Sequence, residues 1–235
     1  MKFLTTTPLG DNISRVEYVD HMGSDLSVVN AARVSFDKIS DWEDKHFANG
    51  QETRHLNAAD GKLIRYLAKH NHWTPFGHAH MSIRVKAPIF VARQLVKHQV
   101  GLVWNEVSRR YVSTPPEFYW PVALNGAAAN VKQGSTGMAH ENSLSLIHVA
   151  LRSITELANL YDDMIDAGVA PEDARMFLPL NMYTEWVWSG SLAAWARVCK
   201  LRLDPHSQIH TRVFAEGIAK VTRHLFPVSF EALTT

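Results

Sequence analysis

The chain has 235 residues, 46% of them hydrophobic, which suffices for one domain with a sizeable core. Its 24 Lys and Arg nearly balance 23 Asp and Glu, a charge that argues against generic binding to nucleic acid. One cysteine excludes an internal disulfide, and no apolar run matches a membrane span or a signal peptide, so we expect a cytoplasmic protein with no membrane or nucleic-acid partner.

The first half of the chain mixes strand and helix patterns. In chain order it predicts a strand at 13–21, a helix that Asp25 caps, a long polar loop at 36–57, a helix at 61–70, a strand at 80–87, and a helix from Pro88 to His98.

The second half of the chain is mostly helical in pattern. It predicts a flexible loop or lid at 123–140, an amphipathic helix from Ser143 to Ala167 that Gly168 ends, a short helix from Pro171, a strand at 181–188, a helix from a Ser189 cap to Lys200, and a last helix opened by Asp204 and Pro205. Since no internal repeat or linker is visible, we expect one α+β domain over residues 1–235.

The stretch KHQVGLVWNEVSRRY, residues 97–111, combines cations, a carboxylate and a hydroxyl without an obvious nucleophile and base. On the predicted helix, Arg93 lies four residues before Lys97, and Gln94 four before His98, so both pairs point to one side. A solvated helix face is the simplest interpretation of these residues alone.

The residues that follow favour an anionic ligand over a solvated face. On an extended segment Ser108 and Arg110 would share a face, and a hydroxyl beside a guanidinium is a common way to hold a phosphate. Further arginines follow at Arg175, Arg197 and Arg202. The set indicates a nucleotide ligand.

At this point the sequence resembles a known family, the flavin-dependent thymidylate synthases. The signature matches at Arg93-Gln94, Lys97-His98-Gln99, Asn105-Glu106, Ser108 and Arg110-Tyr111. Further segments follow in the family's order: AARVSF at 31–36, HWTPFGH at 72–78, VKAPIFVARQ at 85–94, LPLNMYT at 178–184 and LRLDPHSQ at 201–208. The resemblance covers most of the chain except residues 123–140.

The resemblance implies a fold and a reaction. Members methylate dUMP at C5 to dTMP, with methylenetetrahydrofolate as carbon donor, reduced FAD as hydride donor and NADPH as the reductant of the flavin. They are homotetramers with active sites shared between subunits, each subunit a mixed β-sheet packed with helices. For this chain the resemblance therefore implies FAD as cofactor, and dUMP and a folate as small-molecule partners.

The resemblance also assigns residues by position. The dUMP-binding set is Gln94, Glu106, Ser108, Arg109, Arg110, Arg175 and Arg202, and Arg202 is the catalytic residue that polarises the pyrimidine. The FAD-binding set is His72, Thr74, Lys97, His98, Gln99, Ser191 and Arg197.

The sequence departs from the family pattern on the flavin side. Lys97 and Gln99 replace two signature arginines, and Ser191 and Ala193 stand where the family often has Asn and Arg. Lysine keeps the charge but loses the bidentate fork, whereas glutamine loses the charge.

Several alternatives remain open from the sequence. The chain could be a pyrimidine-nucleotide hydroxymethylase on the same scaffold or a non-catalytic nucleotide-binding relative. Histidine pairs at His70/His72, His78/His80 and His206/His210 have spacings that zinc can use, but we expect no metal because Pro75 breaks the first run and no glutamate lies within the last pair.

Three groups of side chains have both a structural and a functional interpretation. Glu106 is either a general base or, as we favour, a carboxylate that orients arginines. The aromatic residues 73, 76, 186, 188 and 195 are core for the most part rather than flavin-stacking. Cys199 is a small core residue, not a nucleophile.

Overall fold

The computed structural model describes residues 4–46, 52–112, 114–129 and 134–235. Five strands form one sheet: β1 (Thr5–Thr6), β2 (Arg15–Met22), β5 (His80–Pro88), β6 (Leu102–Glu106) and β9 (Tyr183–Ser191). Their order in the sheet is β1–β2–β5–β9–β6, and each neighbouring pair is antiparallel. Two separate hairpins pair β3 (Glu43–His46) with β4 (Glu52–His55), and β7 (Asn125–Ala127) with β8 (Ser135–Ala139).

Helices pack against the sheet, which confirms the predicted α+β class. They are α1 (Asp25–Arg33), α2 (Ala58–Lys69), α3 (Ile89–Leu95), α4 (Ser143–Asp166), α5 (Pro171–Ala174), α6 (Leu192–Arg202), α7 (Ile209–Leu225) and α8 (Pro227–Thr234). Short 3₁₀ turns cover Val34–Phe36, Thr74–Gly77 and Arg175–Phe177.

One face of the sheet forms the core. In β5 the side chains alternate, with Met81, Ile83 and Val85 buried and their neighbours at least partly exposed. Of the five aromatic residues considered above, those at 76, 186, 188 and 195 are buried. The core interpretation is therefore confirmed for these four, whereas Trp73 is 64% exposed.

The opposite face of the sheet carries a group of ion pairs. Glu185 on β9 accepts hydrogen bonds from Arg15 of β2 at 2.9 Å and from Arg84 of β5 at 2.6 Å. These ion pairs join three neighbouring strands, β2, β5 and β9, on the face opposite the core.

The predicted end of the long helix is confirmed. α4 ends at Asp166, and Gly168 follows with φ +82°, a left-handed conformation that glycine adopts without a Cβ clash. The amide of Val169 donates to the carbonyl of Met164, and this bond closes the helix end.

Two predicted loops are wrong in part. Residues 36–57 contain the β3–β4 hairpin, and residues 123–140 contain the β7–β8 hairpin; residues 47–51 and 130–133 lie outside the described residues. The second hairpin is anchored where the amide of Leu124 donates to Ser143 Oγ at 2.7 Å. Composition misled here because a short polar hairpin satisfies its backbone groups by cross-strand pairing and needs no apolar alternation.

Two predicted helix starts are misplaced. Ser191, not Ser189, caps α6, because the hydroxyl of Ser189 lies on β9 and shares a hydrogen bond of 2.7 Å with Ser82. α7 begins at Ile209, whereas Asp204 accepts from the amide of His206 at 2.8 Å and closes a turn instead. An aspartate followed by proline favours a turn as readily as a helix start.

Asp25 has a different role from the predicted cap of α1. Ser24 occupies the cap position, and the buried carboxylate of Asp25 accepts hydrogen bonds of 2.9 Å from the amides of Val228 and Ser229. Asp25 therefore satisfies the first amides of α8, at the far end of the chain.

Candidate active site

The candidate site is a cavity of about 1670 Å³ beside α3. Its wall combines α3, the connection between α6 and α7, part of α4 and the β7–β8 hairpin. Of the residues predicted to bind ligands, Gln94 and Arg202 line it. Phe90, Tyr119, Gln208 and His210 also line it.

The helix that carries the signature is shorter than predicted. α3 ends at Leu95, Val96 caps it, and the amide of His98 donates to the carbonyl of Leu95 at 3.0 Å. Lys97, His98 and Gln99 therefore lie in a turn between α3 and β6, and the expected helical pairing of Arg93 with Lys97 and Gln94 with His98 is wrong. The turn separates the three side chains, because His98 is half-buried while Lys97 and Gln99 are exposed.

Arg202, at the end of α6, is held by this turn and by α3. Its Nε–H donates to Nε2 of His98 at 2.9 Å, and its Nη2 donates to the carbonyl of Gln94 at 2.8 Å. A guanidinium has five N–H donors, so three remain for a ligand in the cavity. Burial lowers the pKa of Arg202 from its ordinary value, yet an arginine in a protein stays charged.

His98 is held in its neutral form. Burial lowers its pKa to about 4, and the charges of Arg202 and Arg197 act in the same direction. Because Nε2 accepts the hydrogen bond from Arg202, the ring proton lies on Nδ1. His98 thus offers Arg202 a lone pair throughout the neutral pH range.

A chain of hydrogen bonds orients the amide of Gln94. Gln94 Nε2 donates to Oε1 of Gln208, and the amide of Gln208 lies 3.4 Å from Nδ1 of His210. The ring of His210 packs edge-on against Phe90 and Tyr119, and burial lowers its pKa. We call Gln94, His98, Arg202 and Gln208 the inner cluster. Gln208 is not among the residues predicted to bind a ligand, although it ends the segment LRLDPHSQ, residues 201–208, which also contains Arg202.

Glu106 lies on the sheet and is bound by two neighbours. Its Oε1 accepts from the Thr184 hydroxyl at 2.6 Å, and its Oε2 accepts from Nε1 of Trp104 at 3.0 Å. Both oxygens are therefore oriented by donors of β6 and β9, and Glu106 does not line the cavity.

The remaining nucleotide residues form a separate group at the surface. The extended geometry expected for Ser108 and Arg110 is wrong: the amide of Tyr111 donates to the carbonyl of Ser108, which closes a turn. Arg110 pairs with Glu172 at 2.9 Å, and Arg109 donates to the carbonyl of Thr114. We call this group, Ser108, Arg109, Arg110 and Arg175, the outer cluster; none of its members lines the cavity.

Three of the residues predicted to bind FAD, Thr74, Ser191 and Arg197, lie on α6, at its cap or in a turn packed against it. Arg197 Nη2 donates to the carbonyl of Val100 at 2.5 Å, and the 3₁₀ turn that carries Thr74 packs against α6. Gly101, with φ +76°, lets the turn approach closely, since a Cβ there would lie 3.3 Å from Ser191 Oγ.

The chemistry of the exposed side chains in this region suits a flavin dinucleotide. Lys97, Gln99 and His72 are exposed, and Arg197 keeps free donors beyond its bond to Val100. FAD carries an anionic pyrophosphate, which cations bind through charge-assisted hydrogen bonds. Ser191 differs, because its hydroxyl accepts from the amide of Ala194 at 3.4 Å and caps α6.

The structure also locates the histidine pairs and the single cysteine. Within the described ranges no group of three His, Cys, Asp or Glu side chains could hold a metal, and no helix there is long and apolar enough to cross a membrane. His206 precedes α7, so it does not share a helix with His210. Cys199 is fully buried, and burial raises the pKa of its thiol to about 12, which makes it a poor nucleophile.

Comparison with known proteins gives one consistent result. The family described as thymidylate synthase complementing protein matches residues 17–228. A flavin-dependent thymidylate synthase of Thermus thermophilus is 39% identical over 219 residues, which covers 92% of this chain and 74% of the relative. One from Thermotoga neapolitana is 37% identical over 218 residues, which covers 92% of this chain and 89% of that relative.

A solved structure is similar as well. It is the UMP/dUMP methylase PolB from Streptomyces cacaoi, bound with 5-Br dUMP, which superposes on this chain with a TM-score of 0.77 at 31% identity. The match covers 93% of this chain and 94% of the PolB chain. A second PolB structure, bound with 5-Br UMP, gives the same TM-score at 30% identity, with 93% and 92% covered.

Proposed function

Because the chain belongs to the thymidylate synthase complementing protein family, we propose that it is a flavin-dependent thymidylate synthase that methylates dUMP to dTMP. The observation that carries this proposal is the inner cluster, in which a fixed guanidinium and an oriented amide meet at the wall of a large cavity. Methylation at C5 of a uracil builds negative charge on the ring, and a preorganised cation stabilises that charge.

Arg202 and Gln94 bind and orient the pyrimidine in this proposal. Gln94 commits its Nε2 to Gln208, so its Oε1 remains as an acceptor for a donor of the ring. Arg202 directs its free N–H groups at the ring oxygen where charge develops. Reduced FAD, when bound, would supply the hydride, methylenetetrahydrofolate would supply the carbon, and NADPH would reduce the flavin again.

The flavin is held by the exposed groups around the turn at 97–101. Lys97 and Arg197 provide charge for its phosphates, and Gln99, His72, Thr74 and Ser191 complete the set. The exposure of Lys97 and Gln99 supports this role, because both side chains are available to a ligand outside the fold.

We also propose a cytoplasmic homotetramer with shared active sites. The separation of the outer cluster from the cavity supports sharing, because Arg110 and Arg175 of one subunit would then hold the phosphate of a nucleotide in another. α4 supports assembly, since apolar side chains such as Leu144 and Val149 are 68% and 60% exposed in the single chain.

Purified protein tests the proposal. We expect a bound flavin by absorbance and by mass after release, and dTMP from dUMP, methylenetetrahydrofolate and NADPH. Product mass separates dTMP from a hydroxymethyl analogue, and UMP in a parallel reaction tests the wider substrate range named for PolB. A protein that binds dUMP but makes no product in any of these mixtures contradicts the proposal.

A further inference from the structure

The three residues of the signature turn face different surroundings. Lys97 and Gln99 are exposed, but His98 is half-buried and its Nε2 lies 2.9 Å from Nε of Arg202. That nitrogen is therefore committed to a protein donor. From this geometry we infer that His98 is a positioning residue that sets the orientation of Arg202, rather than a ligand of the flavin. The inference rests on the proposed function of Arg202.

Two fixed points define the plane of the guanidinium. The carbonyl of Gln94 accepts from Nη2, and His98 accepts from Nε. With the Gln94 bond alone the group could still rotate about that contact, and the direction of its three free donors would be undefined. Both acceptors come from residues within α3 and the turn that follows it, so the orientation of Arg202 depends on how this turn is folded.

The role requires a neutral imidazole. A protonated ring would place a second positive charge 2.9 Å from the guanidinium and would remove the lone pair that accepts the bond. The charged groups that act on His98 are Arg202 and Arg197, both on α6, and both oppose protonation, as does burial.

Nuclear magnetic resonance of the ligand-free protein tests the contact itself. The imidazole nitrogens of His98 should show the neutral form with the proton on Nδ1, and the ring should not titrate between pH 8 and about 5. The Nε–H signal of Arg202 should lose its protection from solvent exchange in His98→Ala. A ring that carries its proton on Nε2, or that titrates near 6.5, overturns the inference whatever reaction the protein catalyses.

Kinetics test the consequence for chemistry. His98→Ala should slow flavin oxidation by dUMP and folate about 10–100-fold, the size expected when a catalytic group is displaced by about 1 Å. His98→Gln places an amide oxygen near the position of Nε2 and should restore the rate to within several-fold of wild type. His224→Ala, which removes an exposed histidine of α7 away from the cavity, is the matched control and should leave the rate unchanged.

A double-mutant cycle separates positioning from flavin binding. Combined with Arg202→Ala, His98→Ala should add almost no further loss, because its effect acts through Arg202. FAD affinity, measured by titration of flavin-free protein, should change less than twofold. Independent losses in the cycle, or a fall in FAD affinity that accounts for the whole rate effect, contradict the inference. If wild type makes no dTMP, the proposed function fails while the resonance measurement still decides the role of His98.

Discussion

The inner and outer clusters both contain arginine, but they hold it under different constraints. Arg202 is half-buried and bonded to two residues of the fold, so its direction is set before any ligand arrives. Arg110 is exposed, and its partner is Glu172, an equally exposed carboxylate. Exposed ion pairs of this kind contribute little to stability and exchange readily for a better anion.

The difference indicates where each cluster acts. A group that must stabilise charge in a transition state benefits from preorganisation, because no reorganisation is then needed during the reaction. A group that only holds a phosphate can be ordered by the ligand itself. We therefore expect the inner cluster to affect the rate and the outer cluster to affect affinity.

The largest effect should follow Arg202→Ala. Loss of one preorganised donor typically costs about 10²–10³ in rate, so reduced flavin should transfer hydride to dUMP very slowly while the protein stays folded and binds FAD. Single-turnover flavin oxidation measures this, with Arg65→Ala on the exposed surface of α2 as the control. A near-normal rate would remove Arg202 from the chemistry and with it the distinction between the clusters.

Arg110→Ala should weaken dUMP binding with little change in the rate at saturation. A charge-assisted hydrogen bond contributes about 1.5–3 kcal/mol, which corresponds to roughly 10–100-fold in affinity. Calorimetric titration of dUMP gives the affinity, and steady-state kinetics should show a raised KM at constant kcat. If kcat falls as far as in Arg202→Ala, the two clusters act together and the comparison is wrong.

Acid pH should lower the free energy of unfolding of the protein through His98 of the inner cluster. Its pKa is about 4 in the folded protein against 6.5 ordinarily, so between these values the unfolded chain takes up a proton that the folded chain does not. Stability should therefore fall as the pH drops from about 6.5 to about 4, by about 1–2 kcal/mol after allowance for solvent screening. Urea unfolding of wild type and His98→Gln measures it, and equal pH slopes in the two proteins would refute the role of His98.

Substitutions that change the charge at the predicted flavin-binding residues should have a smaller effect, and the effect should be on FAD affinity. Gln99→Arg restores a charge that the family has, and the gain of about 1 kcal/mol predicts several-fold tighter FAD binding with dUMP affinity nearly unchanged. Lys97→Ala should weaken FAD by a similar factor. Fluorescence titration of FAD decides both, and unchanged or weaker binding in Gln99→Arg would mean that Gln99 faces away from the flavin.

The smallest effect on activity should follow Cys199→Ala, although Cys199 lies on the same helix as Arg202. Its thiol is buried and stays protonated, so turnover should remain within about twofold, while the free energy of unfolding falls by about 1 kcal/mol. Loss of turnover in a folded, flavin-loaded Cys199→Ala protein would contradict the assignment of the chemistry to Arg202.

Sequence periodicity predicted the elements that local rules determine. β5 and β9 follow from apolar alternation, and the end of α4 follows from Gly168. The predicted cap of α6, Ser189, lies two residues before the actual cap, Ser191, because a serine is an equally good cap at either position. Only the strand pairing of Ser189 with Ser82 decides between them, and that contact joins residues 107 positions apart.

The site was predictable as a set of residues but not as an arrangement. The resemblance assigned Gln94 and Arg202 to one ligand, and the structure brings both to one cavity. It also assigned Arg110 and Arg175 to that ligand, yet these lie away from the cavity in one chain. The contact of Arg202 with His98 spans 104 residues and depends on α3 ending at Leu95, which no local helix signal marks.

The carboxylate of Asp25 has a consequence for synthesis of the protein. Its hydrogen bonds reach Val228 and Ser229, which lie 203 and 204 positions further along the chain. α1 therefore leaves the ribosome long before these two partners of Asp25 have been synthesised. Contacts of such separation form slowly. Until α8 is complete, the nascent chain presents the apolar surfaces of α1, α2 and α6 on which α8 packs, and it is during this interval that a chaperone has most to protect.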